Sequence, residues 1–189
     1  MPARPALEAL RAATRQAHDD LETHLAIARP GAGAAEYHAY LKALWGWMAP
    51  FEERLWTAPW PATIEAPARN GKRHWIAEDL RRFDIDEREL TALPGGAFTP
   101  DLTSAAARFG LAYVIEGSQL GTQVIRKNLE PALAPWNPRW LQGYGPETGR
   151  RWRDFTDAIE MHLDDDEARR IAAEAAKAAF RSLAEWFRT

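Results

Sequence analysis

Two groups of residues carry the chemistry that this sequence can offer. On a helix advancing 100° per residue, Leu7, Leu10, Thr14, Ala17, Leu21 and Leu25 form one apolar stripe, and Arg11, His18 and Glu22 run along its edge. About one hundred residues further on, the segment Tyr113 to Gln123 reads YVIEGSQLGTQ, and Gly117 and Gly121, four apart, strip one helix face of side chains. A flat molecule could lie against such bare backbone. A neutral imidazole at a core boundary, set opposite that backbone, suits a planar iron macrocycle, for which a protein supplies an axial ligand and a shaped distal wall.

The neighbours of His18 strengthen that reading. Glu22, one turn on, is placed to bond the ring nitrogen that does not face a metal and so to fix the tautomer. Arg11 lies two turns back, about 10 Å along the helix axis, and offers a cation to the carboxylates of a bound cofactor. The plain alternatives are a solvated i,i+4 contact for His18 and Glu22, worth a few tenths of a kcal/mol, and helix-on-helix packing for the two glycines. Spacing alone leaves the glycine helix evenly balanced between them.

Composition removes several other chemistries. The 189 residues contain no cysteine, so disulfides, zinc-thiolate sites, iron–sulfur clusters and thioether-attached haem are excluded. A metal must be held by His, by carboxylates or by a cofactor. With 24 Lys and Arg against 27 Asp and Glu, the chain lacks the basic excess of a general nucleic-acid binder. No apolar run is long enough to span a membrane, and the N-terminus lacks a secretory signal pattern, so a soluble, cytoplasmic protein with no membrane partner is expected. The length suits a single domain spanning 1–189. The nine tryptophans are expected to contribute core area.

The elements that must position these residues are all helices. The 3.6-residue period predicts helices over about 5–28, 34–56 with a bend at Pro50, 72–83, 101–129, 147–163 and 165–187. Residues 58–68 and 84–100, rich in Pro and Gly, read as connections. In the long helix, Thr99-Pro100-Asp101 is the expected start and Pro131 the expected end. Its polar residues Glu116, Gln119, Gln123, Arg126 and Lys127 fall on one side, so the glycine face is expected to turn inward. No period-2 alternation marks a strand, and the fold class is an all-α, single-domain helical bundle.

The ordered set of these segments resembles the haem oxygenase family, particularly its bacterial, biliverdin-producing branch. Residues 10–22, LRAATRQAHDDLE, resemble the family's proximal helix; EGSQLGTQ, from Glu116 to Gln123, resembles its distal helix; and AAKAAF, ending at Phe180, resembles its last helix. Together these blocks span nearly the whole chain. The resemblance implies that His18 is the axial ligand of haem iron and that Gly117 and Gly121 let the distal helix bend over the macrocycle. It further implies Ser118 in a distal polar network, Arg11 and Tyr113 on the propionates, and Phe180 packed near the haem. Thr14, Glu22, Thr122 and Arg153 complete the expected cofactor contacts, Arg153 being preferred to Arg150 and Arg151 because Trp152, Phe155 and Ile159 turn that helix toward the core. The family commonly carries a second glycine where this chain has Thr122, whose side chain is expected either to narrow the distal space or to donate to pocket water.

The activity implied is oxidative opening of haem b to biliverdin, carbon monoxide and ferrous iron, with O2 and externally supplied electrons. Haem is then both cofactor and substrate. The implied partners are an electron-donor protein such as ferredoxin or a reductase, and a biliverdin-accepting photoreceptor if the product serves as a chromophore. A haem-storage or haem-sensing protein of the same fold, without turnover, is the alternative. Two other chemistries of related helical folds are excluded by residue type: a thiol nucleophile is absent, and so is the Glu-x-x-His pair of carboxylate di-iron sites.

Overall fold

The computed structural model describes residues 3–188; Met1, Pro2 and Thr189, which the expected 1–189 domain includes, lie outside the described residues. Helix α1 (Pro5–His24) has Pro in its first turn and no capping side chain of its own. Instead the Glu160 carboxylate accepts from the backbone N–H groups of Ala6 and Leu7 at 3.1 and 2.8 Å, which satisfies two orphan donors from across the bundle. The helix ends four residues earlier than the 3.6-residue period predicts, because Leu25 turns extended and a short 3-10 turn follows at Ala26–Ala28.

Helix α2 (Ala34–Met48) is closed at its start by Glu36, whose carboxylate accepts from Gly33 N–H at 2.8 Å. Pro50 breaks the expected 34–56 helix instead of bending it, and the chain restarts as α3 (Glu52–Thr57). The proline-rich connection holds α4 (Ala66–Arg69), followed by α5 (Lys72–Leu80). A helix that the sequence reading left as connection, α6 (Glu87–Ala92), is set by a capping box in which Asp86 and Glu89 accept from each other's backbone N–H.

Helix α7 (Ala105–Leu133) begins later and ends later than expected. Asp101 is spent on a local turn with Thr103, and Ser104 caps the helix instead. Pro131 lies inside the last turn; the carbonyl that loses its partner belongs to exposed Lys127, where water can replace the missing donor. Then follow α8 (Arg139–Gln142), α9 (Thr148–His162) and α10 (Asp166–Trp186), the last capped by Asp165, which accepts from Ala168 N–H at 2.7 Å.

The bundle is organised by α10, which packs on both α1 and α7. Its inner stripe, Ala172, Ala176 and Ala179, is fully buried. Small side chains there bring α10 so close to α7 that a Cβ on Gly110 would stand 2.1 Å from the carbonyl oxygen of Ala172. Gly110 is therefore the glycine of helix-on-helix contact. The described residues include no strand and no helix long and apolar enough to cross a membrane.

Candidate active site

A cavity of about 510 Å³ opens between α1 and α7, within the range of roughly 300 to 1,000 Å³ that holds drug-sized ligands. His18 stands on its α1 wall with half of its side chain exposed. Its Nδ1 lies 3.6 Å from a Glu22 carboxylate oxygen and 3.8 Å from Asp19, beyond hydrogen-bonding distance, so both carboxylates act on the ring through charge. Nε2 has no hydrogen-bond partner among the described residues and is the nitrogen available for a bond into the cavity. Phe180 of α10, 7 % exposed, packs edge-on against the imidazole with ring centroids 5.8 Å apart and limits its rotation.

Facing His18, α7 presents Tyr113, Gly117, Ser118 and Gly121. The two glycines differ from Gly110 in what a side chain would meet. A Cβ on Gly121 would have no atom within 4 Å, and one on Gly117 would touch only the Trp152 ring at 3.6 Å. At Gly121 no neighbouring helix uses the space, and at Gly117 only the Trp152 ring of α9 comes near, so the missing side chains leave room at the cavity. This observation decides between the two readings of the glycine face that spacing left open. It also shows that the residues present suit a flat macrocycle: bare backbone on one wall, an unbonded imidazole nitrogen on the other.

On α7 part of the expected polar side turns inward, while Arg126 and Lys127 of that side are exposed as expected and Val114 of the glycine side is buried. Glu116 and Gln119, expected on the solvent side, are 3 % and 1 % exposed, whereas Leu120 and Val124 are 39 % and 65 % exposed at the cavity rim. Burial of Glu116 is possible because its carboxylate has partners, whereas Gln119 is paired only through Nε2. Glu116 pairs with Arg69, and it accepts from Lys72 Nζ at 2.6 Å and from the Tyr144 hydroxyl at 3.0 Å. Lys72 spends all three of its donors, on Glu116, on the Arg69 carbonyl at 2.8 Å and on Tyr144 at 2.7 Å. Burial pulls its ammonium below the ordinary lysine range and Glu116 opposes that pull, while burial together with Glu116 pushes the Tyr144 phenol up.

Arg11 lies at the cavity mouth, exposed and without a carboxylate partner among the described residues, and the Tyr113 ring leans on Trp152 with centroids 5.8 Å apart. Ser118 donates to the Ile115 carbonyl at 2.7 Å and accepts from Gln119 Nε2 at 3.3 Å. Thus His18, Arg11, Glu22, Tyr113, Gly117, Ser118, Gly121 and Phe180 converge on one cavity.

Three expected contacts do not. Thr14 is 3 % exposed and donates to the Leu10 carbonyl at 2.8 Å, so it belongs to the apolar stripe of α1 and its hydroxyl is satisfied by its own helix. Thr122 is fully buried and donates to the Gln119 carbonyl at 2.8 Å; turned away from Gly121, it neither narrows the cavity nor offers a donor to it. Arg153 faces solvent because the α9 residue before it, Trp152, takes the cavity-facing direction. Arg150 pairs with Glu147 and Asp154, and Arg151 with Glu65, so neither stands in for it.

The inner wall went unread as a site. Tyr40, Leu44 and Met48 repeat every four residues on α2 and carry the same signal as any core stripe; they line the cavity with Trp47, Trp140 and Leu183. Burial pushes the Tyr40 hydroxyl up to about 12, which keeps it protonated against this wall. Trp140 is held there by Asp79 of α5, which accepts from the backbone N–H groups of Arg139 and Trp140 at 2.7 and 2.8 Å and from Tyr37 at 2.6 Å.

Comparison with known proteins agrees with this geometry. A family model described as "Heme oxygenase" matches residues 4–189. A protein of Xanthomonas campestris pv. campestris (strain 8004) named "Heme oxygenase" is 33 % identical over 168 residues, covering 87 % of this chain and 88 % of that protein. The NO- and CO-bound heme oxygenase of Neisseria meningitidis shares the fold with a TM-score of 0.74 at 20 % identity, over 96 % of this chain and 92 % of that one. On the extent of the family match and of the Xanthomonas alignment, this chain belongs to the haem oxygenase family.

Proposed function

We propose that the cavity between α1 and α7 binds haem as substrate and that the chain opens it to biliverdin, carbon monoxide and ferrous iron, using dioxygen and electrons from an external donor such as ferredoxin or a reductase. The observation that carries the reading is the pair of opposed walls, an imidazole with an unbonded Nε2 on one side and, on the other, a Gly121 whose absent side chain would meet nothing. When bound, haem supplies both the iron that activates dioxygen and the ring that is cut.

The residues of this chain bind, orient and exclude. His18 would hold the iron through Nε2, with the Glu22 carboxylate beside Nδ1 orienting the ring. Phe180 holds the ring plane. Arg11 and Tyr113, at the mouth, receive the two carboxylates of the substrate, the first by charge and the second by its hydroxyl. On the opposite wall, the bare backbone at Gly117 and Gly121 would face the ring, and Ser118 would supply the hydroxyl of that wall. Leu44, Trp47 and Met48 close the inner end with apolar surface, which keeps bulk water from the reacting edge.

Against a haem-storage protein without turnover, the buried placement of Thr122 supports a distal space that its side chain leaves open. In this reading the product is suited to supply a photoreceptor chromophore, or the reaction serves iron release, in the cytoplasm. Titration with haemin is expected to give a sharp Soret band at one equivalent, and reduction in air with ascorbate or reduced ferredoxin is expected to release biliverdin. His18→Ala should lose tight haem binding yet keep the apoprotein melting temperature within a few degrees, because the side chain is half exposed. Gly121→Leu should fill the cavity and abolish biliverdin formation. Unchanged haem affinity in His18→Ala, together with normal product from Gly121→Leu, would overturn the proposal.

A further inference from the structure

The reaction as proposed leaves one charged cluster unused, and it lies directly behind the bare wall. The Glu116 carboxylate, on the residue before Gly117, is gripped by Arg69, Lys72 and Tyr144. Two of these partners, Arg69 and Lys72, are themselves tied to backbone or to a second carboxylate, and the Tyr144 hydroxyl accepts from Lys72. Arg69 donates Nε to the Ile64 carbonyl at 2.7 Å and a terminal nitrogen to the Arg151 carbonyl at 3.2 Å. Lys72 donates its backbone N–H to the buried carboxylate of Glu52 at 2.6 Å. One carboxylate therefore joins α7 to α4, α5 and the turn before α9.

Burying three charges is a poor way to gain stability, since well-packed apolar residues of similar volume usually do as well or better. What directed ionic hydrogen bonds add is a fixed direction, which apolar contact does not specify. The location of this cluster is where α7 most needs one. From Gly117 to Val124 the opposite face touches open cavity, Gly121 meets nothing within 4 Å, and two glycines loosen the backbone. Side-chain packing cannot set the height or the rotation of the helix from that side. Gln119, one turn beyond Glu116 and 1 % exposed, extends the same back face and donates to Ser118 Oγ at 3.3 Å, which joins that face to the hydroxyl at the cavity.

We propose that Glu116 is a positioning residue: held by Arg69, Lys72 and Tyr144, it sets the distance and rotation of the Gly117–Gly121 segment over the substrate ring, and hence the space and polarity met by a small ligand on the iron. The proposal rests on the haem reading for its consequence, although the positioning of the segment belongs to the haem-free protein as well. Glu116→Asp separates positioning from charge. It keeps the carboxylate but shortens it by one methylene, so the cluster can re-form only if α7 moves toward α5.

The experiment compares wild type with Glu116→Asp, Glu116→Gln and Tyr144→Phe in two measurements. Amide hydrogen exchange of the haem-free protein should quicken at least tenfold at Gly117–Gly121 in Glu116→Asp, with a smaller change of the same sign in Tyr144→Phe. The C–O stretching band of the carbon monoxide complex should be shifted or broadened in the same order, while Glu116→Asp melts within a few degrees of wild type. A C–O band and segment exchange identical to wild type in both Glu116→Asp and Tyr144→Phe, whatever the melting temperatures, would reduce the cluster to a structural element and overturn the proposal. Should Glu116→Gln not fold, the other two variants decide. Failure of wild type to bind haem would sink the proposed function, and the exchange measurement would still judge the positioning.

Discussion

Along α7, the side turned toward the other helices carries Glu116, Gln119 and Thr122, all at or below 3 % exposed, while the side turned toward the cavity carries Gly117, Gly121 and Val124, the last 65 % exposed. An amphipathic helix ordinarily puts its apolar residues inward and its polar residues out. Here Glu116 and Thr122 go in because they meet partners, Glu116 two cations and a phenol and Thr122 a carbonyl of its own helix, while Gln119 is paired only through its Nε2, to Ser118. The apolar and bare residues stay open because what completes that face is not part of the chain. The contrast teaches that burial on this helix follows the supply of partners more closely than it follows polarity.

The sharpest way to break the comparison is to test glycines of the same helix that differ in purpose. Gly110→Ala places a methyl 2.1 Å from the Ala172 carbonyl oxygen, where backbone and not a flexible side chain must give way. It is expected to cost about 3 kcal/mol or more and to lower the melting temperature by roughly 6 to 12 °C, read by calorimetry. Gly121→Ala should do the opposite in the haem-free protein. Its methyl meets no atom within 4 Å, and alanine is favoured over glycine in a helix by about 0.8 to 1 kcal/mol, a rise of roughly 2 to 4 °C. The same methyl stands in the cavity, so haem affinity should fall several-fold. A stabilised Gly121→Ala that binds haem as tightly as wild type would mean that this face does not meet the ligand.

Much of this was legible in the residues. Period and capping located the long helices, and the edge position of His18 together with the glycine spacing put the two walls of the cavity in the right places. The burial of Glu116 was not legible, because it looks like a surface residue until Arg69 and Lys72, more than forty positions earlier, are known to lie against it. No local pattern announces a long-range ion cluster. Tyr40, Leu44 and Met48 stand on an apolar stripe of α2, and because a core stripe and a cavity wall share one periodicity, only the absence of a packed neighbour tells them apart. Arg153 was misplaced by one position, which on a helix is a turn of about 100°. The short α6 escaped because Pro and Gly nearby suggested connection, although Asp86 and Glu89 stand at capping-box spacing.

Thr122 gives the smallest expected effect and the finest test of the division between the two faces. Its hydroxyl donates to the Gln119 carbonyl at 2.8 Å in a fully buried setting, and Thr122→Val keeps the branched shape while removing that donor. The carbonyl retains its helical N–H partner, so no buried group is orphaned, and the cost should lie at or below about 1 kcal/mol. Turnover should be unchanged, because the side chain points away from the cavity. Thr122→Gly, the residue more common in the family pattern, tests the same point from the other direction. It leaves a void in the back face and adds the helix cost of glycine, about 1 kcal/mol, so it should melt lower than wild type without forming biliverdin any faster. A gain in rate on Thr122→Gly would put residue 122 over the substrate ring and merge the two faces that the structure keeps apart.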